Sequence, residues 1–212
     1  MMIGLTPRRR EVPLFAAAFF TLTACSAARG EDLSGPALVK ALQQGGYVIV
    51  MRHASPPQTP PSATDAQPDN SNRERQLDEA GRRTATVMGV AIKALRIPIG
   101  DVWSSPTYRA RQTVWLADLP RPKTVAELGD RGQSMQAAGG DQSAWLEAKA
   151  AQPPRPPTDT LIVTHYPNIS AAFGQAASGI ADGEALVFHP QRDGHIDVVG
   201  RIKIEDWPAL AK

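Results

Sequence analysis

The stretch YVIVMRH, residues 47–53, is the point from which the rest of the chain can be read. Its first five residues are apolar and rich in β-branched types, and they read as a buried strand. The strand then ends in Arg52-His53 and runs into a proline-broken loop. TLIVTH, residues 160–165, has the same form: a β-rich apolar run with a histidine at its carboxyl end. In open α/β sheets, ligands bind outside the carboxyl ends of the strands. Two histidines placed there can face one site.

Working outward, residues 32–44 read as a helix, with Ser34 as N-cap, Pro36 in the first turn and Gly45-Gly46 as the stop. Residues 54–74 hold Pro56, Pro57, Pro60, Pro61 and Pro68 among small polar residues. A loop of this length is expected to be functional or disordered, and it hangs directly from the Arg-His pair. Its position marks it as the specificity element, so deleting residues 56–70 is expected to alter substrate preference more than stability. Residues 78–95 are helical in pattern, with Ala80, Thr84, Val87, Met88, Ala91 and Leu95 expected on the packed side. A short strand at 101–105, a helix at 108–117, a weak strand near Thr124, a short helix from Asp141, the strand at 160–165 and a helix at 168–177 follow. Two paired strands joined by QRDG, residues 191–194, close the order. Alternating strands and helices predict an α/β fold, a three-layer α/β/α sandwich with a mostly parallel central sheet.

The chain has 212 residues, 42% hydrophobic and 21% charged, enough for one sizeable core. Its formal charge is +2, with 23 basic and 21 acidic residues. Setting aside Arg8, Arg9, Arg10 and Glu11 leaves 20 of each, so no basic patch for nucleic acid is implied. Those arginines precede an apolar run of 13 residues, Val12–Ala24, too short to span a bilayer but suited to an export signal. The only cysteine, Cys25, follows at once in LTAC, like the lipidated cysteine of a bacterial lipobox. Ordinary cleavage near SAA, residues 26–28, is the rival. The expected organisation is a signal peptide over 1–25 and a single domain over 26–212. The expected address is the periplasm, with Cys25 as the lipid anchor and the only membrane attachment. One cysteine allows no internal disulfide.

WSSPTYRARQT, residues 103–113, adds a third strand end with Arg109 one turn into a helix. Two histidines and two arginines now stand at three strand ends. Guanidinium groups match phosphate bidentately, and a histidine beside such an anion can take the phosphoryl group as a nucleophile.

On these residues the chain resembles the histidine phosphatase superfamily, the phosphoglycerate-mutase-like group. MRHA (51–54) is similar to its Arg-His-Gly signature. RQLDEAG (75–81) is similar to its Arg-Pro-Leu-Thr segment. SSPTYRARQT (104–113) is similar to its Ser-Ser-Pro run, VTHYPNI (163–169) to its second-histidine motif, and GEALVF (183–188) to the strand beyond it. The resemblance spans residues 47–189 in family order. It implies His53 as nucleophile, Arg52 and Arg109 as phosphate clamps, and His165 as donor to the phosphoryl oxygens. Arg75 is a further candidate phosphate contact. No metal or other cofactor is implied, and His189 and His195 read as surface or strand residues. Asn168 reads as a cap of the helix after His165.

Two departures bear on mechanism. Ala54 stands where the family has glycine. The acid that protonates the leaving group has no clear match. Glu127, in VAELGD eighteen residues after Arg109, is the candidate, with Asp130 next and Asp65 or Asp69 as alternatives. This stretch looks more like the short bacterial phosphohistidine phosphatases, which lack a clear acid. The implied function is hydrolysis of a small phosphorylated substrate, a phosphomonoester or phosphoramidate, through a phosphohistidine on His53. The alternatives are a phosphate-binding lipoprotein of the same fold and a mutase-type phosphotransferase.

Overall fold

The structure is a computed structural model that describes residue 1, residues 32–130 and residues 140–212. The expected signal segment and Cys25 lie outside the described residues. Along the chain run α1 (Gly35–Leu42), β1 (Val48–Arg52), α2 (Glu79–Ala94), β2 (Ile99–Ser104), α3 (Tyr108–Leu116), β3 (Lys123–Thr124), a 3-10 turn (Ala126–Leu128), α4 (Gly140–Ala150), β4 (Asp159–Thr164), α5 (Tyr166–Phe173), β5 (Ala185–Pro190), β6 (Ile196–Ile202) and α6 (Trp207–Leu210).

The six strands form one sheet in the order β3-β2-β4-β1-β5-β6. The first four pair in parallel, and β5 and β6 add an antiparallel edge. β1 and β4 are the two central strands, which explains why both read as unbroken apolar runs: each is covered on both faces. Side chains alternate across the sheet. Ile49 and Met51 join the core under α1, α2, α3 and α6, while Val48 and Val50 join the core under α4 and α5. Burying each such side chain contributes roughly 1.5–3 kcal/mol. The three-layer α/β/α arrangement with a mostly parallel sheet is the one the sequence predicts.

The packed face of α2 differs from the expectation. Gly81, Ala85, Met88, Gly89, Ala91 and Ile92 are buried, while Val87 is 39% exposed. The reason is close approach. A Cβ on Gly81 would stand 2.2 Å from the Ser55 carbonyl oxygen. The small residues face inward because backbone, not side chain, meets them there.

The loop over residues 54–74 has no regular elements and is largely exposed, but it is fastened at particular points. Asn70 is 3% exposed, and its side chain donates to the Glu74 carbonyl at 2.8 Å and accepts from the Glu74 N–H at 3.0 Å. Gln76 donates to the Asp65 carbonyl and accepts from the Gln67 N–H. Gln112, on α3, accepts from the Leu77 N–H at 2.7 Å. Within residues 56–70, Asn70 is thus a buried polar anchor, and Gln76 ties Asp65 and Gln67 to the stem of the loop.

Candidate active site

Parallel pairing of β1 with β4 sets Arg52 opposite Thr164. The next residue on each strand is a histidine, and the His53 N–H donates to the Thr164 carbonyl at 3.0 Å. Register alone thus brings two residues far apart in sequence to one sheet edge. The rings of His53 and His165 lie 5.1 Å apart in an edge-on arrangement. Both are buried, as is Arg109, which α3 delivers from the neighbouring strand end.

Arg109 fixes the protonation of both rings, because a guanidinium can only donate. Its Nε donates to His53 Nε2 at 3.1 Å, so that nitrogen carries a lone pair. The ring proton then sits on His53 Nδ1, which donates to the Ala54 carbonyl at 2.8 Å. Arg109 Nη2 donates to His165 Nδ1 at 3.2 Å. The His165 proton is therefore on Nε2, and it is donated to Ser105 Oγ at 2.8 Å. Burial pushes the His53 pKa well below the usual histidine range, with the His165, Arg109 and Arg52 charges adding to the effect and the Ala54 carbonyl opposing it. Burial does the same to His165, helped by Arg109, Arg75 and Arg52. Both rings are neutral at neutral pH.

Arg109 is held in turn by Asp130, whose side chain is fully enclosed and also lies 3.8 Å from His165 Nδ1. Arg52 closes β1 and reaches the rim. Its Nη1 donates to the Ile180 carbonyl at 3.0 Å, and its Nη2 pairs with Asp182 at 2.7 Å. The Tyr166 ring lies beneath its guanidinium, 5.7 Å away. Arg75 stands nearby, with Nη1 3.5 Å from the Gln58 carbonyl.

The backbone accepts Ala54 without strain: it does not take a left-handed conformation, and its methyl is enclosed in the core. Thr113 Oγ1 accepts from the Ala54 N–H at 3.1 Å, so the end of the SSPTYRARQT run holds the residue that orients His53.

The structure brings together His53, His165, Arg109 and Arg52, with Arg75 at the rim. It does not bring Glu127 to them. Glu127 lines a separate surface pocket of about 400 Å³ with Trp103, Val125, Trp145, Ala148 and Lys149. The cause is the 3-10 turn, which carries Glu127 outward and returns Leu128 and Asp130 inward. Asp69 accepts from the Tyr108 hydroxyl and Asp65 from the Ser62 hydroxyl. Asn168 does not cap α5. Its amide donates to Thr164 Oγ1 at 2.9 Å and to the Gly129 carbonyl at 3.3 Å, pinning the segment that carries Asp130. Among the described residues, no group of three histidine, cysteine or acidic side chains is placed to hold a metal ion.

No family model and no curated protein matches the sequence. Solved structures do match. The protein histidine phosphatase SixA, complexed with tungstate, aligns with a TM-score of 0.55 at 19% identity, over 76% of this chain and 98% of its own. The chain has the histidine phosphatase fold. SixA of Agrobacterium tumefaciens aligns with a TM-score of 0.50 at 18% identity, over 74% of this chain and 97% of its own. The histidine phosphatase fold accounts for the order of the quoted motifs, since each lies at or beside the carboxyl edge of the sheet.

The sequence reading missed three contributors. Ser105 and Thr107, both near His165 Nε2, lie inside the Ser-Ser-Pro run and were legible there as polar residues at a strand end. Asp182 stands in a turn with no local signal of its own.

Proposed function

We propose that this chain is a phosphatase of the histidine phosphatase type, acting on a small phosphorylated substrate through a phosphohistidine on His53. The observation that carries the reading is the state of His53. Its Nε2 lone pair is set against the Arg109 guanidinium, and its Nδ1 proton is tied to the Ala54 carbonyl. That is a neutral nucleophile already oriented beside the cation that an anionic phosphoryl group would seek. Phosphoryl transfer asks chiefly for such positioning and for fixed positive charge. His53 Nε2 attacks phosphorus, and the bond to the leaving group breaks. Arg109, Arg52 and His165 take the charge on the phosphoryl oxygens, and water then releases phosphate from His53. The shared fold with a protein histidine phosphatase supports the reading and keeps phosphoramidates among the substrates worth assaying.

The test is hydrolysis of para-nitrophenyl phosphate and of phosphoramidate across pH 4–8 by the full chain, beside His53→Ala. Turnover by the wild type alone, with phosphate trapped on His53, is the expected result. Tungstate binding without turnover of either substrate favours the phosphate-binding alternative. Transfer to a second phosphate ester in place of water favours the mutase-type one.

Export, with Cys25 as the lipid anchor, is part of the proposal and rests on the sequence of residues 1–25. Labelling of cells with a radioactive fatty acid tests it, Cys25→Ser being the control.

A further inference from the structure

The reaction needs a group that hands a proton to the leaving oxygen. Most carboxylates near the cluster already have structural partners. Glu74 accepts from the Tyr108 N–H and Asp69 from the Tyr108 hydroxyl. Asp78 accepts from the Gly81 N–H and the Ser55 hydroxyl. Glu184 accepts from Arg201 and the Ala181 N–H. Asp130 is enclosed against Arg109. Residues 131–139 contain no carboxylate.

Asp182 differs from these in its partner, which is Arg52 at the rim of the site. It sits in the turn from Ala181 to Glu184, and that turn is fastened to the nucleophile's own backbone. The Gly183 N–H donates to the His53 carbonyl at 2.9 Å, and the Arg52 N–H donates to the Glu184 carbonyl at 3.0 Å. Gly183 takes a φ of +73°, and a Cβ there would meet Ile204 at 2.6 Å, so the turn has one shape. It presents a carboxylate that is 34% exposed at the rim, with Arg52 as its partner.

Resting on the phosphatase reading above, we propose that Asp182 is the proton donor to the leaving group. Arg52 is shared between two anions. In the free site it pairs with Asp182; when a phosphoryl group arrives it turns to the phosphate oxygens. The carboxylate then loses its counter-ion and takes up a proton. Burial already pushes the Asp182 pKa upward and the Asp78 charge adds to this, against Arg52, Arg75 and Arg109. In the first step, the His53 Nε2–P bond forms and the P–O bond to the leaving group breaks. The leaving oxygen takes the Asp182 proton. In the second step, water attacks phosphorus, its proton returns to Asp182, and phosphate departs from a neutral His53.

The test compares Asp182→Asn with wild type on two esters: para-nitrophenyl phosphate, whose leaving group departs unaided, and β-glycerol phosphate, whose alkoxide does not. General acid catalysis contributes about 10²–10⁴-fold. The expected result is a loss of at least about 100-fold in kcat on the glycerol ester and under about tenfold on the aryl ester. The inhibition constant for tungstate should stay within about threefold, and Asp182→Glu should recover part of the lost rate. Asp182→Ser, a second small polar replacement, should show the same split. Equal loss on both esters with weakened tungstate binding overturns the assignment, because Asp182 then only positions Arg52. Unchanged rates on both overturn it as well. A wild type with no His53-dependent turnover of either ester overturns the phosphatase reading itself, and the assignment with it.

Discussion

His53 Nδ1 lies 2.8 Å from the carbonyl oxygen of Ala54, the next residue in the chain. The ring proposed as nucleophile is thus oriented by its own neighbour's backbone and, among the described residues, by no carboxylate. Such an acceptor raises the pKa less than a charged one would, and burial and the surrounding cations dominate. The active form is the neutral ring, and its folded pKa is depressed. His53 therefore stays competent as pH falls through 6.5 and is lost only well below it. The pH profile of kcat/KM for para-nitrophenyl phosphate should show no acid limb centred near 6.5. Nitrogen chemical shifts of His53 should report a neutral ring protonated at Nδ1 at pH 6.

Arg109→Lys should fail although the charge is kept. Lysine cannot donate at once to His53, His165 and Asp130, as the guanidinium does. Removing one preorganised donor from a buried anion site costs about 10²–10³-fold in rate. Steady-state kinetics should show kcat falling by about 100-fold or more, with weaker inhibition by tungstate.

Asp159 gives a stability prediction far from the catalytic edge. It is fully enclosed at the start of β4. One oxygen accepts from the Tyr47 N–H at 2.9 Å, and the other has no partner among the described residues. Burial pushes its pKa up to about 7. The folded state thus holds a proton that the unfolded chain releases near the ordinary carboxylate value. The stabilisation is complete below about pH 4 and is lost as pH rises to about 7, at most on the order of 4 kcal/mol. Urea unfolding of Asp159→Asn between pH 4 and 8 should lack this fall. The variant should overtake wild type at pH 8.

Gly81→Ala should destabilise the site from behind. The added Cβ would meet the Ser55 carbonyl, two residues beyond His53. Overpacking of this kind costs typically about 1–3 kcal/mol. Denaturation should show that loss, and kcat should fall with it, because the displaced strand end carries His53.

Much of this was legible in the sequence. Tyr47–His53 and Thr160–His165 showed two buried strands with histidines at their ends because central parallel strands are apolar throughout. The SSPTYRARQT run showed Arg109 for the same reason, a polar group placed just beyond an apolar one. Val87 misled, because hydrophobic periodicity is blind to a helix that packs through Gly81 and Gly89. Glu127 misled because a single 3-10 turn decides which acid in VAELGD faces inward, and spacing cannot resolve a turn. Asp182 was silent, because its place depends on a backbone bond from Gly183 to His53 across 130 residues of chain.

The pairing of β1 with β4 has a kinetic side. It joins segments 112 residues apart, and the two histidine rings meet only when it forms. Contacts of such separation bear a large loop-closure cost and come late relative to local ones. The hairpin of β5 and β6 can assemble early and alone, yet it contains no part of the cluster. Recovery of catalytic activity during refolding is therefore a reporter of the central pairing itself, and it should lag behind the appearance of helix and hairpin signals.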